Sequence, residues 1–136
     1  MNSFRLKIVT PDGLVYDGEA EQVTVRTTTG DLGVLAGHIN CVAPLGMGQA
    51  AVVIDGKRRT AACIGGMLSV VNGAVTLVPT TFEWAEDIDA ARADASEARA
   101  RTMLADKSTT ATDLRLAEAR LKRALVRKNV AAQRIR

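Results

Sequence analysis

The distribution of glycine and proline divides this chain near residue 84. All 11 glycines and all 3 prolines lie before that point, and from Ala85 onward the sequence contains neither. Both residues favour turns and weaken regular helices, whereas the alanine, leucine and charged residues of the second part favour helix. The sequence therefore predicts two units of different structure, a β unit over residues 1–84 and a helical tail over residues 85–136.

Short runs of β-prone residues fill the first unit. Phe4, Leu6 and Ile8 alternate with charged residues, the period-two pattern of a half-buried strand. Tight hairpins are predicted at 55–56 and 72–73, because type I′ turns require positive φ at two central residues and Asp-Gly and Asn-Gly supply it. The strands predicted around them are 49–54, 57–62, 67–71 and 74–78, with further turns at 10–13 and 17–18. Strands at this spacing predict a β-sandwich or flattened barrel.

The stretch from Gly30 to His38 lacks the pattern of a strand. Its three glycines predict a loop with unusual backbone angles or a close approach to another chain. It has neither a P-loop lysine nor the dinucleotide-binding spacing of glycines. His38 is the only histidine, and we expect it to be a hydrogen-bonded loop residue and not a general base.

The second unit has the pattern of two helices joined by a polar connection. Acidic residues at 86–89 suit a helix N-terminus, alanine dominates residues 90–105, and polar residues at 108–113 interrupt the pattern. A second helix is predicted from about residue 113 to about residue 133, with an apolar stripe of Leu114, Ala117, Leu121 and Leu125. The two helices predict an antiparallel hairpin. Because its first helix offers mostly alanine to the contact, we expect this hairpin to be only marginally stable.

Positive charge is concentrated at the end of the chain. The formal net charge is +3, yet residues 113–136 hold eight basic residues and two acidic ones. Four arginines are spaced to lie on one helix face and predict an acidic partner or a phosphate ligand; they are Arg120, Arg123, Arg127 and Arg134. In a closed hairpin, Arg92 and Arg99 would approach Arg123 and Arg127, which suggests a phosphate-bearing ligand that holds the helices together.

Other classes of protein are disfavoured by the same sequence. Cys41 and Cys63 are isolated and predict two reduced, buried thiols. No apolar run approaches the ~20 residues of a transmembrane helix and no signal peptide is evident, so we expect a soluble intracellular protein without direct membrane insertion. The chain offers no catalytic nucleophile–histidine–acid set and no multi-histidine metal site, so we expect no enzyme. Its few aromatic residues and the lack of a reading module disfavour a nucleic-acid binder.

Four segments, in this order and spacing, make the chain resemble the epsilon subunit of bacterial rotary ATP synthases. They are residues 9–13, residues 30–38, Gly65-Gly66 and residues 87–89. Ala36 and Met67 depart from the family's pattern, which usually has proline and an aromatic residue at these positions. The resemblance implies an α+β protein, with an N-terminal antiparallel β-sandwich (a flattened barrel) followed by a C-terminal antiparallel α-helical hairpin.

The same resemblance implies a non-catalytic subunit of the central stalk. The β-sandwich would dock on the gamma subunit and the c-ring, with Asp31 and His38 near these rotor contacts. The extended tail would inhibit ATP hydrolysis, its arginine stripe meeting acidic segments of the alpha and beta subunits, and the folded tail would leave rotation free. The protein would be peripheral, on the cytoplasmic side of the cell inner membrane.

Some members of the family bind ATP on the folded hairpin through an Ile/Leu-Asp-x-x-Arg-Ala motif, which residues 88–93 match. The resemblance therefore implies ATP as a regulatory ligand, bound by Glu83, Ile88, Asp89, Arg92, Ala93, Arg99, Arg123 and Arg127. The arginines would bind phosphates, while Asp89 and Glu83 would orient the base or the arginines. The alternative keeps the family but makes the chain a purely structural coupling subunit, with Asp89 and Arg92 as a surface ion pair.

Overall fold

The computed structural model describes residues 2–133 of the chain, which divides into two compact units, Met1–Trp84 and Ala85–Arg136. The first unit consists of strands β1 (Phe4–Thr10), β2 (Gly13–Ala20), β3 (Gln22–Thr27), β4 (Gly30–Leu35), β5 (Cys41–Pro44), β6 (Met47–Ile54), β7 (Lys57–Val71) and β8 (Ala74–Trp84). The second unit begins with a 3-10 turn (Ala85–Asp87) and continues with helices α1 (Ala90–Ala105) and α2 (Ala111–Ala131). This order confirms the predicted fold class.

The eight strands form one open sheet in the order β2-β1-β8-β7-β6-β3-β4, and β5 pairs with β7. Strands far apart in this order contribute to a single core, for example Leu6 and Ile8 of β1, Val34 of β4, and Val52 of β6. The sheet therefore folds over its own apolar face as a sandwich. All strand pairs are antiparallel except β1 with β8, which is parallel and was not anticipated.

Both predicted hairpin turns are confirmed. Asp55 and Gly56 have φ of 52° and 74°, and Asn72 and Gly73 have φ of 50° and 82°. These are the positive angles that a two-residue turn of this type requires at both central positions. The local sequence was sufficient here, because the constraint acts within the turn itself.

The turn predicted at residues 17–18 is wrong, because these residues lie inside β2. In the pairing of β1 with β2, Lys7 lies opposite Asp17 and Leu6 lies opposite Gly18. Arg5 forms an ion pair with Asp17 at 2.6 Å, so the aspartate that suggested a turn instead supports the strand pair.

The loop predicted for the Gly30–His38 stretch is wrong for its first six residues, which form β4 opposite β3. Val34 points into the core with no exposed surface. Gly30 and Gly37 have positive φ, so two of the three glycines mark the turns on either side of the strand and do not interrupt it.

A single long strand replaces the two predicted at 57–62 and 67–71. β7 continues through Gly65 and Gly66, both with positive φ. A Cβ atom at Gly66 would lie 2.0 Å from the carbonyl oxygen of Val78. The glycine pair therefore lets β7 bend and lie against β8 where a side chain would not fit.

The helical hairpin has the predicted alanine-lined interface. Ala93 and Ala100 of α1 and Ala117 and Ala124 of α2 are buried, each pair one heptad apart. The leucines of the predicted stripe are only half-buried. The helix α2 begins two residues earlier than predicted because Thr110 caps it, its hydroxyl accepting a hydrogen bond from the Asp113 amide at 3.1 Å. Within residues 2–133, neither helix combines the length and the apolar character needed to cross a bilayer.

Candidate functional site

The residues of the 88–93 motif have distinct positions at the start of α1. Asp89 is the N-cap, and its carboxylate accepts a hydrogen bond from the Arg92 amide at 3.0 Å. Ile88 and Ala93 are buried, at 2% and 3% exposure. The Arg92 side chain is exposed, and within residues 2–133 its guanidinium forms no ion pair. The surface ion pair between Asp89 and Arg92 that belongs to the purely structural alternative is therefore wrong, and Asp89 instead caps the helix.

One face of the hairpin carries an ion-pair network. The Lys128 ammonium of α2 lies 2.6 Å from the Glu97 carboxylate and 3.1 Å from the Asp94 carboxylate of α1. Arg101 also contacts Glu97, at 2.8 Å. The hydrogen bond from Lys128, followed by that from Arg101, lowers the pKa of Glu97, and the bonds to Glu97 and Asp94 raise the pKa of Lys128. This network links the two helices.

The opposite face of the hairpin is cationic. At about 100° per residue, Arg92 and Arg99 lie within about 20° of each other around α1, whereas Asp94 and Glu97 lie on the far side. Arg99 of α1 and Arg120 of α2 line one open groove of about 590 Å³. Its other lining residues are small or apolar and include Ser96, Ala100, Thr102 and Met103. Such a groove suits an anion with an apolar portion.

The structure places the remaining predicted ligand residues as follows. Arg123 and Arg127 are half-buried on α2 and lie outside the lining of the groove. Glu83 lies near the end of β8, in the first unit. Arg134, which the arginine stripe included, is outside the described residues.

The sequence did not predict that Arg99 and Arg120 line the same groove. The signal was available in the spacing: 92 and 99, like 120 and 127, are one heptad apart, and heptad positions of an antiparallel pair face each other along one seam. The loop between the helices sets the register that places Arg99 and Arg120 along one groove. The sequence of either helix alone does not determine that register.

The rotor-contact residues proposed for the sandwich lie on β4 and in the loop after it. The carboxylate of Asp31 accepts a hydrogen bond from the Nε of Arg26 at 2.7 Å. The ring of His38 lies 2.8 Å from the Ile39 carbonyl through Nδ1, which confirms a hydrogen-bonded loop histidine. The stem of Arg26 lies over Gly48, where a Cβ atom would come within 2.5 Å of it.

A row of exposed apolar side chains crosses three strands of the sandwich. Pro44 of β5 lies opposite Met67 of β7, and Met67 lies opposite Val78 of β8. Met67 and Val78 are 43% and 49% exposed. Val42, also on β5, is 64% exposed, so the row belongs to a wider apolar surface of the kind that marks protein–protein contacts. This surface was not predicted from the sequence, because it combines residues of three different strands.

The two cysteines are free, as predicted, but only one is buried. Burial raises the pKa of Cys63 to about 12. Cys41 is half-buried, with its sulfur 4.0 Å from Nδ1 of His38. Among the residues that the structure describes, no group of three or more His, Cys, Asp or Glu side chains could hold a metal ion.

Comparisons with known proteins point to one family. Residues 3–85 match the model "ATP synthase, Delta/Epsilon chain, beta-sandwich domain", and residues 86–132 match "ATP synthase, Delta/Epsilon chain, long alpha-helix domain". The ATP synthase epsilon chain of Bacillus velezensis is 46% identical over 96% of this chain and 98% of the relative. That of Ruminococcus albus is 39% identical over 96% and 98%.

Two solved structures share the fold. A chain of the Euglena gracilis mitochondrial ATP synthase, in a structure of its OSCP, F1 and c-ring, has a TM-score of 0.82 and 25% identity, covering 96% of this chain and 81% of that one. A chain of the Tetrahymena thermophila mitochondrial ATP synthase, in a structure of the central stalk and c-ring, has a TM-score of 0.66 and 11% identity, covering 93% and 95%. At 11% identity, the second likeness speaks for the fold alone.

Proposed function

The chain belongs to the ATP synthase delta/epsilon family, and from this premise we propose that it is a non-catalytic central-stalk component that couples the rotor and regulates ATP hydrolysis. The observation that carries the proposal is the match of both units, in order, over nearly the full length of the chain and of bacterial epsilon chains. The protein would be peripheral on the cytoplasmic side of the inner membrane, held there by the complex.

The sandwich is proposed to dock on the gamma subunit and the c-ring. The apolar row of Pro44, Met67 and Val78 supports a contact with another protein, because exposed apolar surface gains free energy on burial. Asp31 and His38 are proposed to lie near the rotor contacts. Arg26 supports this role for Asp31 by holding its carboxylate in one orientation.

The hairpin is proposed to be the regulatory element. Its helices meet through alanine methyl groups, which gain less on burial than leucine side chains. Such an interface can open when a partner offers a better site. The arginines of α2, including Arg120 and Arg123, would then meet acidic segments of the alpha and beta subunits and slow ATP hydrolysis.

ATP is proposed to bind the folded hairpin and to stabilise the form that does not inhibit. Arg92 and Arg99 support this proposal, because they lie on one face of α1 with no acidic partner in the described chain. A ligand that binds only the folded form, at 100 times its dissociation constant, stabilises that form by about 2.7 kcal/mol. That is enough to redirect a two-state equilibrium of a few kcal/mol.

A second candidate is a coupling subunit without ATP sensing. It is favoured by one observation: Asp89 caps α1 while Ile88 and Ala93 are buried. These contacts explain three positions of the motif without any ligand. Arg92 is the position that they leave unexplained.

Reconstitution of the catalytic complex with and without the chain separates the two candidates. ATP sensing predicts that the chain slows hydrolysis at low ATP and that high ATP relieves this inhibition. The Arg92→Ala variant should need roughly tenfold more ATP for the same relief, since it loses a charge-assisted contact. Inhibition that is independent of ATP, and equal in the variant, would favour coupling alone. An unchanged rate with and without the chain would contradict the proposed regulatory role.

A further inference from the structure

Two arginines share the groove on the hairpin, although the family resemblance implies only one of them, Arg99, as a ligand residue. Arg99 comes from α1 and Arg120 from α2, and both line the groove. Both side chains are exposed. Within residues 2–133, neither guanidinium lies in an ion pair with a carboxylate. Two like charges therefore face one open space.

Three acidic side chains of the hairpin point away from this groove. Asp94 and Glu97 are bound to Lys128 on the opposite face of α1. Glu118 is the acid nearest to Arg120 in the sequence of α2, but it points about 160° away from it around the helix. Asp113 lies on the same face of α2 as Arg120, but one heptad, about 10 Å, nearer the start of the helix. Within residues 2–133 it forms no ion pair with either arginine.

The groove has the chemistry of a site for a phosphate chain. Guanidinium groups bind phosphate oxygens through two parallel hydrogen bonds, and a polyanion between Arg99 and Arg120 would replace their mutual repulsion with attraction. Arg92 extends the same face by about 10 Å along the axis of α1. A chain of several phosphates can reach more of these groups than a single phosphate can.

We infer that Arg120 binds the phosphate chain of the nucleotide together with Arg99, and that it thereby sets the preference for a triphosphate over a monophosphate. The inference rests on the proposed ATP-sensing function. It assigns to Arg120 a role in the folded hairpin, in addition to the contact with an acidic partner proposed for the extended tail.

Calorimetric titration of the full-length chain with ATP and with AMP tests this role. Arg120→Ala should raise the Kd for ATP about tenfold or more and change the Kd for AMP much less, so that the ratio between the two nucleotides falls. Arg120→Lys keeps the charge but loses the bidentate geometry, and we expect an intermediate Kd for ATP. Arg115→Ala is the matched control, since Arg115 is an exposed arginine of the same helix outside the groove.

The outcomes distinguish the inference from the function on which it rests. If Arg120→Ala keeps the wild-type Kd for ATP while Arg92→Ala weakens it, the inference is wrong and ATP sensing stands. If Arg120→Ala and Arg115→Ala weaken ATP binding equally, the effect comes from net charge alone and the inference is also wrong. No binding by the wild-type chain up to millimolar ATP would overturn both. Circular dichroism checks that each variant keeps its helix content.

Discussion

Gly66 shows most directly how one residue fixes the path of a strand. Its φ is +97°, and a Cβ atom there would lie 2.0 Å from the Val78 carbonyl oxygen and 2.6 Å from Pro79 Cα. Both neighbours are backbone atoms of the adjacent strand, which cannot rotate away as a side chain can. The position therefore combines an unfavourable backbone angle with a steric conflict for any residue other than glycine.

We predict that Gly66→Ala destabilises the sandwich by about 2 kcal/mol or more. The matched control is Gly13→Ala, because Gly13 also has positive φ, at +125°, but no atom lies within 4 Å of the position that a Cβ atom would occupy there. The control should therefore cost only the strain of the backbone angle, about 1–2 kcal/mol. Urea unfolding followed by circular dichroism measures both values. Equal losses of unfolding free energy in the two variants would mean that β7 can move away from β8 at residue 66 without a loss of stability.

At the scale of the helices, the hairpin has an alanine interface with a different set of charged side chains on each side of it. Ala93 and Ala100 meet Ala117 and Ala124 at the interface, and the network around Lys128 closes one side of it. The other side carries Arg92 and Arg99 of α1 and Arg120 of α2. The closed form therefore combines a small apolar contact with a surface ion-pair network, so the charge state of a few groups adds to its stability.

We predict that the hairpin opens more readily in the Lys128→Ala variant than in the Lys122→Ala variant. Lys122 is the matched control, because it is an exposed lysine of the same helix and forms no ion pair in the described chain. The lost contacts are those to Glu97 and Asp94. Amide hydrogen exchange of α2 at neutral pH measures the opening. Protection that falls equally in both variants would show that the network does not hold the helices together.

The same network predicts a pH dependence. The folded pKa of Glu97 is lowered, so its contribution is present above the ordinary glutamate pKa of about 4.3 and is lost as the pH falls through the folded value. The folded pKa of Lys128 is raised, so its contribution is present below about 10.4 and is lost as the pH rises through the folded value. The closed hairpin should therefore gain stability from this network throughout the neutral range.

For the molecule as a whole, docking is proposed for the first unit and regulation for the second. The core that unites β1, β3, β4, β6, β7 and β8 lies entirely before residue 85. Removal of the hairpin leaves this core, together with the apolar row and Asp31, in the remaining chain. Docking and inhibition should therefore be separable by truncation.

We predict that a chain ending at Trp84 still binds the gamma subunit but no longer inhibits ATP hydrolysis by the reconstituted complex. Binding is measured by co-purification with the complex, and hydrolysis by a coupled assay over a range of ATP concentrations. The full-length chain is the control in both measurements. Inhibition that survives the truncation would assign the regulatory role to the sandwich.

The parts of the molecule that the sequence could predict are those in which the constraint is local. The turns at Asp55-Gly56 and Asn72-Gly73, the alanine-rich helix and the acidic start of α1 at Asp89 each depend on a few neighbouring residues. The strand at Gly30–Leu35 could not be recognised, because its stability comes from pairing with β3 and from burial of Val34. The shared groove of Arg99 and Arg120 could not be recognised either, because it depends on the register between two helices.

The parallel pairing of β1 with β8 has a consequence for synthesis on the ribosome. Leu6 pairs with Val75, so the first strand to emerge must wait for the last one before its open edge is covered. At typical elongation rates of about 5–20 residues per second this wait lasts several seconds. During that time the nascent β1–β2 hairpin presents unpaired backbone groups. We expect the N-terminal hairpin to be the segment of the newborn chain that most needs chaperone protection.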